Sequence, residues 1–287
     1  MQFAADDSLT VLVSAPGATE PGIYRWLRHA VEPSLLCKIS SPATFSFDRK
    51  TIIERIAGHP SRLHLYDPST CNTRALISIE GRLVDVDVRG NFIAVAVRLE
   101  DLSSELRVYN INSQQLGRTP IGRNVEMGFS PDGDSVVNFD LSDGGAFMWD
   151  VPKLAHEILP AWFAIGETTF VPGSRLVKRY LSGALMVAHW PSGAMVYSIP
   201  SPRSVRLRQL SVTGRFGLLH TLNGTSESLD WLDFSTKKRV RLDSGSVDNA
   251  AINHAGSLVA WALRSAATGQ RVQIQVTPVK GTTSTSH

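Results

Sequence analysis

Short apolar runs alternate with turn residues along the whole chain, and the best-formed run sets the period. Phe129-Ser130-Pro131-Asp132-Gly133-Asp134-Ser135-Val136-Val137 reads as strand, tight turn, strand. Pro131 fixes φ, Asp132 and Gly133 supply the turn, and Val136-Val137 resume the extended chain. Phe147-Met148-Trp149-Asp150 then closes the unit as a further strand. Six looser copies place an apolar residue before a turn and an apolar run after it, anchored at Phe3, Phe45, Val86, Phe170, Leu210 and Ile252. With Phe129 included, the steps between anchors are 42, 41, 43, 41, 40 and 42 residues. A period near forty with four short strands per unit predicts an all-β chain, a seven-bladed β-propeller of four-stranded antiparallel blades.

Within the units, segments such as Arg62-Leu63-His64-Leu65-Tyr66 alternate polar and apolar positions, the period of a strand. The terminal blades are expected to be incomplete. Phe3 already lies at the end of an innermost strand. Blade 7 offers Asn249–Ile252, Leu258–Leu263 and Arg271–Val276, followed by a tail in which Pro278 cannot donate to a ladder and Gly281 weakens one. Arg98 to Glu105 reads as a charged loop, and Val151 to Pro160 as an insert with one helical turn. Because no blade can bury both faces alone, the expectation is one propeller domain over 1–287, with blades at about 1–40, 41–81, 82–122, 123–163, 164–203, 204–245 and 246–287.

Segments ending Tyr66-Asp67, Tyr109-Asn110, Trp149-Asp150 and Trp190-Pro191, with Phe129-Ser130-Pro131-Asp132-Gly133, resemble the WD-repeat and WD-repeat-like propellers. The resemblance spans the chain, with only blade 4 close to consensus. The Gly-His pair of that family is missing between outer and next inner strands; Gly58-His59 falls in a loop between second and third strands. The family's Asp-His-Ser/Thr-Trp network is therefore not carried over. What the resemblance implies is a platform for proteins or peptides, usually without catalysis.

Hydrophobic residues make up 43% and charged residues 19%, the balance of a globular core. No apolar run approaches the roughly 18 residues that span a bilayer, and the first residues lack a basic segment followed by an apolar one. The chain is accordingly expected to be cytoplasmic (nuclear in a eukaryote), with no membrane partner. Cys37 falls in a predicted outer strand and Cys71 in a turn of the next blade, so no structural disulfide is expected, in keeping with a reducing compartment. The net charge of +3 is unevenly spread: residues 1–150 carry 14 basic and 19 acidic side chains, residues 151–287 carry 15 and 7. One half is acidic and the other basic.

Chemical motifs are sparse. The eight histidines show no helical i, i+4 or His-x-Glu spacing for zinc. There is no Gly-x-Ser-x-Gly elbow, and Ser130-x-Asp132 does not continue into a sialidase-type turn. A calcium-centred lactonase would need acidic and amide side chains on innermost strands, where Asp85, Asp87, Asp248 and Asn249 lie; solvent-facing positions at strand entrances are the competing reading for Asp85 and Asp248. Trp26, Trp149, Trp190, Trp231 and Trp261 are expected to pack between blades. The candidate binding surface is basic. Arg203, Arg206 and Arg208 occupy the innermost strand of blade 6, where an unpaired guanidinium cannot be fully buried. Arg175, Arg215, Lys237, Lys238 and Lys153 fall in turns of blades 4 to 6, against the competing reading of a solvated face. The function expected is a non-enzymatic scaffold for a protein or peptide, with no cofactor. A nucleic-acid-associated scaffold using the basic sector of blades 4 to 6 is one alternative, and a metal-dependent lactonase-like hydrolase the second.

Overall fold

The computed structural model describes residues 1–4, 6–13, 20–27, 30, 32–46, 48–58, 60–122, 125–140, 146–151, 153, 155–160, 162–163, 167–171, 174–181, 183–200, 205–211, 214–223, 226–245, 247–253, 255–264 and 272–279. The fold is a seven-bladed β-propeller, and among the described residues there is no helix. Blade 1 holds β1 (Gln2–Phe3), β2 (Leu9–Val13), β3 (Gly22–Trp26) and β4 (Ser34–Lys38); blade 2 holds β5 (Ala43–Phe45), β6 (Ile52–Ile56), β7 (Ser61–Tyr66) and β8 (Thr73–Ile79). Blade 3 holds β9 (Arg82–Arg89), β10 (Phe92–Arg98), β11 (Ser104–Asn110) and β12 (Gln115–Ile121), and blade 4 β13 (Val125–Phe129), β14 (Ser135–Asp140), β15 (Ala146–Asp150) and β16 (His156–Glu157). Blade 5 has β17 (Glu167–Phe170), β18 (Leu176–Leu181), β19 (Ala184–His189) and β20 (Met195–Pro200). Blade 6 has β21 (Val205–Leu210), β22 (Phe216–Asn223), β23 (Ser226–Asp233) and β24 (Arg239–Asp243), and blade 7 has β25 (Val247–Ile252), β26 (Leu258–Arg264) and β27 (Val272–Pro278). In each blade consecutive strands are hydrogen-bonded neighbours. Blade 1 has four strands with the stunted innermost strand expected of it, the two-residue β1, and blade 7 shows three strands among the described residues.

The repeat lives in the turn between first and second strands. In blade 4 the Ser130 N–H donates to the Ser135 carbonyl (2.8 Å), the Ser135 N–H donates back to Ser130 Oγ (3.1 Å), and that hydroxyl donates to Asp132. Ser46 does the same with Thr51 and Asp48, Ser211 with Phe216, and in blade 7 Asn253 Oδ1 replaces the hydroxyl, accepting from Leu258 N–H at 3.0 Å. Each clamp residue is buried, so its own polar atoms and the opposing N–H must be satisfied inside the turn. The turn also needs one residue at positive φ: Asp7, Arg49, Gly90, Gly133, Gly214 and Gly256 fill that place. Two of the six are not glycine, which costs roughly 1 kcal/mol each and makes the repeats look degenerate. Blade 3 departs from the pattern, since β9 runs on through Arg89 and Gly90-Asn91 alone make the turn. The corresponding Pro172-Gly173 turn of blade 5 and the tail from Lys280 lie outside the described residues.

Middle strands are covered on both faces and outer strands are not. Ile93 to Val97 of β10 are all buried, whereas β8 alternates, with Ala75, Ile77 and Ile79 buried and Leu76 and Ser78 exposed. The chain packs as two compact units, Met1–Val11 with Arg25–Ser34 and Leu176–His287, and Leu12–Tyr24 with Leu35–Arg175. In the second unit, blades 2 and 3 share a core of Ile53, Leu63, Leu65, Ile77, Val88, Ile93 and Val95, and blades 3 and 4 one around Phe129 and Val136. In the first, Phe216, Leu218, Trp231, Val259 and Trp261 join blades 6 and 7. Trp190, Trp231 and Trp261 are buried as expected; Trp26 and Trp149 are only half-buried, Trp149 presenting its edge to His156 at 5.3 Å.

Three further expectations are corrected. Cys37 and Cys71 are joined by a disulfide, Cα atoms 6.1 Å apart, because β4 and the β7–β8 turn come together over the core formed by Ile39, Ala43, Ile52 and Tyr66; the cysteine count thus no longer speaks for a reducing compartment. The insert after Asp150 adds strand β16 in place of a helical turn, pairing Met148 with Glu157 and Trp149 with His156. Asp85 does not simply face solvent but sits against the next blade. As for the turn clamp, Ser130→Ala strips the acceptor from the buried Ser135 N–H and is expected to cost about 1–3 kcal/mol in urea unfolding. Ser130→Asn, which reproduces the acceptor of blade 7, should recover part of that loss; equal loss in both variants would remove the clamp from the account.

Candidate functional site

The polar side chains of the innermost strands are tied to the main chain of the following blade. Asp87, buried on β9, accepts from Val88 N–H (2.8 Å) and from Phe129 N–H of β13 (2.9 Å). Asp85 accepts from Val86 N–H (2.8 Å), Met127 N–H (3.0 Å) and Arg55 Nη2 (3.1 Å). Gln209 on β21 accepts from Ile252 N–H of β25 at 3.3 Å. Asn249 is exposed, and the Asp248 side chain lies outside the described residues. Among the described residues no group of three His, Cys, Asp or Glu side chains is arranged to hold a metal.

Other buried acids are likewise enclosed by donors. Glu54 Oε1 accepts from Ser40 N–H, Ser41 N–H and Ser40 Oγ, and Oε2 from Tyr66 Oη at 2.7 Å. Burial raises its pKa, but Tyr66 and the serine donors outweigh it and hold Glu54 below the usual carboxylate range. The same burial, together with Glu54, pushes the Tyr66 phenol up. In the second unit a cleft of about 740 Å³ is lined by Pro60, Glu80, Arg82, Arg98, Asp101 and Arg107 among others. Its guanidinium Arg107 is held by Glu105 (3.0 Å) and the Glu80 carbonyl (3.0 Å), so the walls carry charges of both signs. The charged loop read between Arg98 and Glu105 was the only sign of this cleft in the sequence.

The basic candidates separate into groups. Arg215, Lys237 and Lys238 are exposed and share one end of blade 6, where Phe234 N–H donates to the Arg215 carbonyl (2.9 Å). Arg215 is ion-paired to Asp233 at 3.0 Å and lies over the Phe216 ring at 4.8 Å. Arg206 and Arg208 project from β21 and are exposed. Arg175 is exposed in the other unit, and Arg203 lies outside the described residues. Sequence reasoning missed the partners around β21. Lys178 and Tyr180 of β18 reach Leu207, and the buried His220 of β22 accepts from Arg208. A cation two positions before an aromatic hydroxyl, Lys178 and Tyr180, was the available signal. It missed Asp230 as well, a buried carboxylate that takes Arg239 at 2.5 Å and Arg241 at 3.1 Å.

No protein-family model matches the sequence, and no curated protein sequence matches it. Solved structures do. One in the crystal structure of a mitotic checkpoint complex superposes with a TM-score of 0.54 at 12% identity, covering 91% of this chain and 86% of the other. Hsv2p of Kluyveromyces lactis gives 0.54 at 13%, over 83% and 74%. A putative 6-phosphogluconolactonase from Bacteroides fragilis gives 0.53 at 11%, over 95% of both chains. What they share with this chain is the propeller fold. At such identities residue roles do not transfer, and the propeller's own side chains have to carry the functional argument.

Asp233 offers a pH test of this surface. Burial alone would raise its pKa, but Arg215, Ser235 and Thr236 outweigh burial and hold it well below the usual carboxylate range. A carboxylate depressed in the folded state contributes stability above its unfolded pKa and loses it as pH falls toward the folded value. The stability difference between the protein and Asp233→Asn, measured by denaturant titration, should therefore shrink as pH drops below about 4. A difference independent of pH would mean that the charge contributes nothing.

Proposed function

We propose that the chain is a non-enzymatic scaffold that holds a protein or peptide partner on the cationic surface of blade 6. The observation that carries the reading is the division of labour among its charged groups. Asp85, Asp87, Glu54, Asp230 and Asp233 are engaged with main-chain donors, hydroxyls or arginines, while the cations of β21 and of the β23–β24 turn face solvent. Groups held in this way do not offer the open, convergent set that acid–base or metal chemistry requires. The propeller in a mitotic checkpoint complex is a structural neighbour in a protein assembly, and it supports a partner of the same broad kind.

The nucleic-acid reading is weaker, because Arg215, Arg239 and Arg241, which would extend a phosphate-binding stripe, already have carboxylates. The lactonase-like reading has a structural neighbour of that description, but Asp85 and Asp87 are committed to Met127 and Phe129. Isolation of the tagged chain from its native cells separates the three. The expected result is a polypeptide retained in comparable amount after nuclease and chelator washes. Loss on nuclease treatment would favour nucleic acid, and loss of bound metal on chelation would favour the hydrolase. On a polyanion column, reversing Lys237 and Lys238 to Glu is expected to lower the eluting salt concentration without altering the unfolding midpoint; an unchanged elution would leave those lysines as solvated surface.

A further inference from the structure

Carboxylates hold three of the arginines of blade 6. Arg215 has Asp233, and Arg239 and Arg241 have Asp230. Lys178 on β18 and Arg206 and Arg208 on β21 are joined to no carboxylate among the described residues, and three local features hold them together. Leu207, between the two arginines, accepts from Lys178 Nζ at 3.3 Å and donates its N–H to Tyr180 Oη at 3.1 Å, which docks β18 against β21. The β21–β22 ladder slips between Leu207 and Gln209, so Arg208 is the extra residue of a bulge, a device that re-aims a side chain. Arg208 then donates through Nε and Nη2 to His220 Nδ1, at 3.3 and 2.9 Å.

His220 is buried, with its Nε2 3.0 Å from Glu227 Oε2. The Nε2 proton therefore goes to Glu227 and Nδ1 is left as the acceptor for Arg208. This chain fixes the guanidinium through a neutral ring and keeps the carboxylate one residue removed from it. Burial, then Arg208 and Arg206, holds the Lys178 ammonium below the usual lysine range, so the three cations sense one another. Among the described residues only one lysine donor is engaged, and Arg206 is exposed with no hydrogen-bond partner.

Resting on the scaffold reading above, we infer that Lys178, Arg206 and Arg208 receive a phosphate monoester carried on the partner polypeptide. The charge count selects the class. Three cations, offset in part by Glu227 behind His220, are matched by a group of about −2 and left in excess by a single carboxylate. The layout selects one group over a nucleic-acid backbone: the cluster is compact, and the arginines that would prolong it are already paired. Lys178 and Arg208 are held in place before the ligand arrives, which lowers the ordering cost of binding.

The test uses the full chain and a capped phosphoserine pentapeptide with glycine flanks, beside its unphosphorylated twin, in isothermal titration with inorganic phosphate as competitor. The phosphopeptide is expected to bind at least about tenfold more tightly than its twin, and Arg206→Ala to remove about that factor. Lys38→Ala, an exposed lysine of β4 on blade 1, is expected to change nothing, and inorganic phosphate to compete. Equal binding of the two peptides, or undiminished binding by a folded Arg206→Ala, overturns the assignment. Binding to phosphatidylcholine vesicles containing phosphatidylinositol phosphate, without binding to the phosphopeptide, overturns it in favour of a lipid headgroup. If the native polypeptide is captured as well by Arg206→Ala as by the unaltered chain, the scaffold stands and this site does not.

Discussion

The innermost strand of a blade has a hydrogen-bonded neighbour on one side only, so half of its main-chain groups face the next blade with no strand to receive them. Side chains of the preceding blade meet that need. Asp85 and Asp87 accept from Met127 and Phe129, 42 residues on, and Gln209 accepts from Ile252, 43 residues on. Tyr180 and Lys178 satisfy both main-chain groups of Leu207. The separations of 42 and 43 residues match the sequence period, so the period is more than a count of strands. It is the distance at which an acceptor on one blade finds the same position on its neighbour, and it stops adjacent blades sliding past each other.

Magnitudes decide what the acidic residues are for. A buried N–H deprived of its acceptor costs about 1–3 kcal/mol, whereas an exposed ion pair contributes about 0–1 kcal/mol. Asp87, buried against Phe129 N–H, therefore matters chiefly as a main-chain acceptor. Asp233 matters chiefly through the turn it organises, where it takes Ser235 N–H (2.8 Å), Ser235 Oγ (2.6 Å) and Thr236 N–H (3.4 Å), with the half-exposed Arg215 a lesser addition. With the acids assigned in this way, the excess basic charge of the second half of the sequence is not spread evenly over its surface. Part of it is held by carboxylates, as at Arg215, Arg239 and Arg241, while Lys237 and Lys238 stand exposed in the β23–β24 turn and Lys178, Arg206 and Arg208 are brought together by β18 and β21.

The strands, their period and the stunted innermost strand of the first blade were legible because each rests on local chemistry: an apolar anchor, a turn, an apolar run. The turn was visible at Ser130-Pro131-Asp132-Gly133 and hidden in blade 1, where Ala4 N–H donates to the Ser8 carbonyl and Asp7 takes the left-handed place that glycine usually marks. Side-chain destinations were less legible, since period-2 alternation tells which face a residue takes but not what waits there. Thus Trp149 follows the repeat yet is only half-buried beside the two-residue β16, and Cys37 and Cys71 meet because blades 1 and 2 pack, a fact that no spacing encodes. The cationic cluster was half seen. Arg206 and Arg208 stood out as charges on an innermost strand, but the bulge that turns Arg208 and the Lys178 that approaches from another blade are products of pairing and packing.

Blade 7, where Asn253 takes the place of the clamping serine, shows how an end contact is written into the repeat. Ser46, Ser130 and Ser211 each use a hydroxyl as the acceptor inside the turn. Asn253 keeps that function through Oδ1, which accepts from Leu258 N–H, and has Nδ2 left over. Nδ2 donates to Asp7 Oδ1 at 2.9 Å and to Ser257 Oγ at 3.3 Å, tying the turn of blade 7 to the turn of blade 1, whose β1 lies along β25. A serine has a single proton to give and a shorter reach, so it could clamp its own turn but not hold Asp7 as well. The first and last blades nevertheless stay separate sheets, β1 pairing with β2 and β25 with β26. They meet as other adjacent blades do, through a polar side chain one repeat away in space and 246 residues away in sequence, and an amide at position 253 is the side chain that serves both sides of that contact.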